Sequence, residues 1–143
     1  MSNPFPFLSN SNCIVTSPAT PSYNCIAWAA RDTRRWWWPV PGVYFWPSSA
    51  PYEETIEAFV AAFATLGFQQ CETAALENGW EKVVIYVNAS RVPTHMARQL
   101  PDGAWTSKLG SYFDIQHSQP EDVEGPAYGS PVVYLRRLVE VAA

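Results

Sequence analysis

The feature that most limits what this chain can fold into is its second half, which is written in strand chemistry from residue 82 onward. Lys82-Val83-Val84-Ile85-Tyr86-Val87 is short, apolar and β-branched, and Gly79 and Asn88 bound it. Segments 94–100 and 104–109 flank Pro101-Asp102-Gly103, whose Asp-Gly pair is a strong hairpin signal. Residues 114–117 read as another short strand, and 132–139 as a last strand or a terminal helix. These segments imply an antiparallel sheet.

Ahead of them, residues 51–67 carry the clearest helical periodicity. Ile56, Phe59, Val60 and Phe63 recur at i, i+3, i+4 and i+7. Glu53, Glu54 and Glu57 fall in the first turns, where they favour the helix dipole, and Gly67 is a suitable stop. Residues 1–22 read as a loop-like arm of Pro, Ser, Thr and Asn, with Phe7, Leu8, Ile14 and Val15 available to anchor it on the core. The order loop, helix, loop, helix, sheet predicts one α+β domain over 1–143, its N-terminal helices packed on one face of an antiparallel sheet.

A net charge of -4 and no basic cluster longer than a pair exclude an electrostatic footprint for nucleic acid. No apolar run reaches the length of a membrane span, and the start, Met-Ser-Asn-Pro-Phe-Pro-Phe-Leu, lacks the basic and apolar regions of a signal peptide. A cytoplasmic product is expected, unless another route exports it. Cys13, Cys25 and Cys71 are widely spaced and odd in number, so neither a metal site nor a disulfide framework is indicated, and no cofactor is expected.

Chemistry concentrates at Tyr23-Asn24-Cys25-Ile26-Ala27-Trp28-Ala29-Ala30. Asn24 is a good N-cap, so Cys25 is expected in the first turn of a short helix, where unpaired backbone N–H groups favour the thiolate. A thiol nucleophile needs a base and a group that orients the base. The chain offers two histidines, His95 and His117. His95 opens a strand and is the candidate base. For the orienting group Thr106, Ser107, Lys108, Asp114 and His117 stay open. A two-residue Asp102-Gly103 turn would put Gln99, Thr106 and Lys108 on the His95 face and Ser107 opposite, and one more loop residue would reverse that.

Trp36-Trp37-Trp38-Pro39 and Tyr44-Phe45-Trp46-Pro47 read as loops ended by proline. Their indoles either fill the core or line a groove beside Cys25, with Trp37 as the groove candidate.

Tyr-Asn-Cys-Ile-Ala-Trp-Ala at 23–29, Thr94-His95, Trp-Thr-Ser-Lys-Leu-Gly at 105–110 and Asp-Ile-Gln-His at 114–117 together resemble an uncharacterised bacterial domain family related to the NlpC-like and CHAP-like papain-fold cysteine hydrolases. The resemblance covers roughly 14–137. It implies a papain-like fold with Cys25 as nucleophile, His95 as base and His117 as orienter. The oxyanion would meet the Cys25 N–H and a second donor at Tyr23 or Asn24, with Trp28, Trp37, Ser107 and Lys108 lining the site. The expected activity is that of a peptidase, amidase or deamidase on an amide or thioester, with a peptide, glycan-peptide or protein as substrate. Two other classes fit the same chain: an inactive domain that binds a partner through loop 36–46, and an antibacterial effector toxin.

Overall fold

The computed structural model describes residues 5–9, 11–17, 20, 22–109 and 114–139. Parts of the expected N-terminal arm (1–4, 10, 18, 19 and 21) and Gly110 lie outside them. In chain order the elements are β1 (Cys13–Ser17), α1 (Cys25–Ala29), α2 (Ile56–Ala64), β2 (Gln69–Cys71), β3 (Trp80–Val87), β4 (Pro93–Gln99), β5 (Trp105–Lys108), β6 (Asp114–His117), a 3-10 turn (Pro120–Val123) and β7 (Ser130–Leu138).

The strands form one seven-stranded antiparallel sheet in the order β1-β6-β5-β4-β3-β7-β2. Among the described residues only two short α-helices accompany it, of 5 and 9 residues. The fold is therefore largely β, which corrects the expectation of an α+β papain-like fold led by N-terminal helices. The helical periodicity of 51–67 yields a helix only from Ile56, because Thr55 takes the N-cap and its side chain accepts the Ala58 N–H. Of the three expected first-turn acids, Glu57 alone is in that turn.

The arm also departs from expectation. Cys13–Ser17 is a strand paired with β6, and Ile14 and Val15 are 63% and 57% exposed, so they anchor nothing. Phe7 is exposed as well, whereas Leu8 and Phe5 pack against the core.

The sheet separates two apolar clusters. On one face Val83, Ile85, Met96 and Leu135 meet Cys25, Ile26 and Ala29 of α1 and Phe59 and Phe63 of α2. On the other, Val84, Tyr86, Ala97, Trp105 and Ile115 pack with Val123. Side chains alternate along β4, and directly opposed residues share a face, so Met96 with Ile85 looks toward α1 while His95 with Tyr86 looks away. A third constraint sits at Gly129, where φ is +75° and an added Cβ would lie 1.9 Å from the Val87 carbonyl oxygen. Only glycine lets the chain pass there into β7.

Candidate functional site

Asn24 fixes the start of α1 with three hydrogen bonds. Its Oδ1 accepts the backbone N–H of Ala27 at 3.1 Å and of Trp37 at 3.0 Å, and its Nδ2 donates to the Trp37 carbonyl at 2.7 Å. One side chain thus caps the helix and ties it to the tryptophan loop, and its polar atoms are committed to that work rather than to an oxyanion. Cys25, the first helical residue, faces the sheet at 7% exposure.

What the sulfur meets follows from the β4–β5 hairpin. These strands pair only at Arg98 with Thr106 and Gln99 with Trp105. Toward Met96 the ladder stops, and the backbone N–H groups of Met96, Ile26 and Cys25 itself act on the thiol in the direction of the thiolate. Those donors and the Lys108 ammonium favour a thiolate. Burial outweighs them, and the Cys25 thiol is pushed up to about 11.

Around it on the same face stand Tyr23, Trp28, Lys108 and Asp114. Lys108 pairs directly with Asp114 across β5 and β6, which puts both on the face that Thr106 shares with Arg98. The Tyr23 hydroxyl donates to Asp114 Oδ2 at 2.6 Å, and Asp114 Oδ1 is buried with no hydrogen-bond partner. The Lys108 ammonium lies 5.4 Å from the Tyr23 ring centre. Burial lowers the Lys108 amine, against the pull of Asp114 and Cys25. Burial, with the Asp114 hydrogen bond second, pushes the Tyr23 phenol up to about 12. Trp28 stacks on Tyr23 with 5.5 Å between ring centres and donates its indole N–H to Thr106 Oγ1 at 3.0 Å.

The two histidines are elsewhere. His95 Nε2 is 3.0 Å from Ser107 Oγ, Ser107 Oγ is 2.8 Å from His117 Nε2, and His117 Nδ1 is 2.8 Å from the Gln119 carbonyl. A carbonyl only accepts, so His117 carries its proton on Nδ1, and its bare Nε2 accepts the Ser107 hydroxyl proton. Ser107 in turn accepts from His95 Nε2–H, which leaves His95 Nδ1 bare, buried and unpartnered. Burial drives the His95 imidazole well below its ordinary range and, more mildly, lowers that of His117. His95 is further clamped flat on Tyr128, with ring centres 3.9 Å apart, and edge-on to Tyr86. This hydroxyl–imidazole chain has the connectivity of a nucleophile relay, and its three members are buried, as Lys108 and Asp114 are on the other face. It works as an internal bolt joining β4, β5 and β6.

The structure thus brings Cys25 together with Tyr23, Trp28 and Lys108, and keeps His95, His117 and Ser107 on the reverse face. Among the described residues no hydrogen bond links the Cys25 sulfur to either imidazole. Trp37, expected to line a groove, is 3% exposed and donates its indole N–H to Asp32 at 2.9 Å, so it belongs to the core. Asp114, left open as an orienting group for His95, instead serves the Cys25 face. Its strand pairing with Lys108 is the signal that would have found the pair. No three or more His, Cys, Asp or Glu side chains gather as a metal site among the described residues, and none of their helices is long and apolar enough to cross a membrane.

A family model described as a domain of unknown function (DUF7689) matches residues 14–136, which takes in every residue of the Cys25 cluster and of the histidine chain. No curated protein and no solved structure matches the chain.

Proposed function

The chain belongs to the family described as domain of unknown function (DUF7689), and from that premise we propose that it is a cysteine-dependent hydrolase of amide or thioester bonds in which Lys108, rather than a histidine, serves Cys25. The observation that carries this reading is the gathering of Tyr23, Cys25, Lys108 and Asp114 on the α1 face, with Lys108 directly opposite Asp114 and the Tyr23 hydroxyl donating to it. Burial raises the thiol and lowers the amine, which favours the neutral form of each at rest. A neutral amine is then a competent acceptor of the thiol proton, as in other buried general-base lysines.

The steps balance as follows. Lys108 takes the Cys25 proton as sulfur attacks the acyl carbon. Collapse of the tetrahedral adduct expels the amine or thiol, which leaves with the proton held by Lys108, and an acyl thioester forms on Cys25. Lys108 then takes a proton from water, hydroxide adds to the thioester, and the carboxylic acid departs as the thiol is restored. Asp114 holds the Tyr23 hydroxyl and supplies negative charge beside the protonated lysine. A peptide, glycan-peptide or protein supplies the acyl group.

Acyl trapping tests this. Incubation at pH 8 with an aryl thioester, read by intact and peptide mass, is expected to place one acyl group on Cys25. Cys25→Ser removes it, and Lys108→Met slows it by about a hundredfold, the range of general-base catalysis. Acylation of Cys13 or Cys71 ahead of Cys25, or an unchanged rate in Lys108→Met, overturns the assignment.

A further inference from the structure

The cationic side chains of this acidic chain are not spread evenly. Arg31, Arg34 and Arg35 follow the end of α1 within five residues, and Arg137 joins them by donating to the Leu66 carbonyl at 2.9 Å. A cavity of about 750 Å³ opens on this turn, lined by Arg31, Thr33, Arg34 and Arg35 together with Trp37 and Leu66. That volume suits one small molecule. Asp32 is the one carboxylate in the lining.

Charge defines what fits. Asp32 Oδ1 accepts the backbone N–H groups of Arg34 at 2.9 Å and Arg35 at 3.2 Å, and its Oδ2 accepts Arg35 Nε–H and the Trp37 indole N–H, both at 2.9 Å. Those four bonds fix the turn and match one guanidinium. Glu81 matches another, but Arg31 and Arg137 share it. Arg34 has no ion pair and no side-chain hydrogen bond among the described residues. Two positive charges are therefore left over, that of Arg34 and one from the pair on Glu81. The last carbonyls of α1, which would oppose an anion, are already taken: Ala27 by the Asp32 N–H, and Trp28 by the Arg31 N–H and Arg98 Nε. Two of the cavity's guanidiniums are also held in place. Arg31 binds Glu81 through Nε and Nη2, and Arg35 binds Asp32 through Nε while lying 3.6 Å over the Phe45 ring. Nη1 of Arg31 and both Nη atoms of Arg35 have no partner among the described residues. Arg31 stands at φ +63°, where glycine is the usual residue just past a helix.

We propose that this cavity binds a phosphate monoester, its dianion held by the guanidiniums of Arg31, Arg34 and Arg35 and by the Thr33 hydroxyl. Two unmatched positive charges answer a dianion better than a single carboxylate, and guanidinium forks suit the three terminal oxygens of a phosphate. The site lies past the end of α1 opposite Cys25. It is independent of the thiol chemistry proposed above.

Methyl phosphate and methyl sulfate are the probes, since they are alike in shape while at about pH 8 the first is a dianion and the second a monoanion. Each is titrated into 15N-labelled protein and followed by two-dimensional NMR. Methyl phosphate is expected to move the Thr33, Arg34 and Arg35 amides and the Arg31 and Arg35 Nε–H signals, and to bind about tenfold more tightly than methyl sulfate. Arg34→Gln breaks no side-chain contact of the free protein and should weaken methyl phosphate about tenfold. Arg31→Gly suits the backbone at φ +63° and should weaken it as well, while the rest of the spectrum reports an intact fold. Equal affinities for the two probes, shifts that map elsewhere, no shift at tens of millimolar methyl phosphate, or full affinity in both variants each overturn the proposal. Co-sedimentation with phosphatidylcholine vesicles containing phosphatidic acid separates a lipid monoester from a free one. Sedimentation that methyl phosphate reverses assigns the lipid source and no sedimentation assigns the soluble one, both in support, whereas sedimentation that methyl phosphate leaves unchanged counts against the site.

Discussion

Cys25 shows two opposed effects acting on one atom. Backbone N–H groups from a helix start, a strand end and its own residue favour its thiolate, and burial disfavours it more. A free cysteine has a thiol near 9.0, and the buried Cys25 lies about two pH units higher, at about 11. Alkylation rate tracks the thiolate fraction, so at pH 7 Cys25 in the folded chain should react with iodoacetamide about a hundredfold more slowly than an unperturbed thiol. Its rate should keep climbing to a midpoint near 11. Lys108→Met removes the neighbouring cation and should move that midpoint higher still. Mass-resolved labelling across pH checks both, and a Cys25 midpoint below 9.0 would show that the helix start and the lysine win over burial.

At the scale of elements, the histidine chain makes the packing of β4, β5 and β6 sensitive to acid. Both imidazoles titrate below their ordinary value of 6.5 when folded, so the unfolded chain takes up protons first as pH falls. Native stability is therefore complete above 6.5 and declines below it, by up to about 1.4 kcal/mol per pH unit for each histidine. The carboxylates whose acidity the fold strengthens, Asp32, Glu77 and Glu81, start from 3.8 or 4.5 and lose their contribution only below that range. Urea unfolding between pH 6.5 and 5 should thus show a falling midpoint that is flatter in His117→Gln, and a pH-independent midpoint there would remove the protonation account. This same region shows what could be read in advance. The cap at Asn24 and the strands at 82–87 and 94–100 are local signals and were legible. The facing of the hairpin was not, because Leu100 N–H closes on the Ala104 carbonyl and Gly103 adopts φ +93°, which leaves three residues in the turn instead of two. That one residue sends Ser107 to the His95 face and Thr106 and Lys108 to the face of α1. Strand β1 was illegible for a different reason, since its only support is pairing with β6 about a hundred residues later in the chain.

The open sheet sets the reach of every side chain on it, and the three thiols measure that reach. Cys13 lies on β1 and Cys71 on β2, the two outer strands of the seven. Six inter-strand steps of about 4.8 Å separate those edges by up to roughly 29 Å along the sheet. A disulfide needs Cα atoms within about 7 Å, so no intrachain bridge can form between them without dismantling the fold. Cys25 is enclosed against the middle of the sheet, whereas Cys13 and Cys71 are half-buried at its borders. Burial raises both edge thiols as well, yet each is more exposed than Cys25. Mild oxidation of the folded chain should accordingly give chain-to-chain dimers linked through Cys13 or Cys71 and leave Cys25 reduced. Non-reducing electrophoresis with peptide mapping reads this directly. A monomer carrying a Cys13–Cys71 or Cys13–Cys25 bridge under native conditions would mean that the strand order assigned to the sheet is wrong, and with it the separation of the thiol from the histidines on which the choice of Lys108 depends.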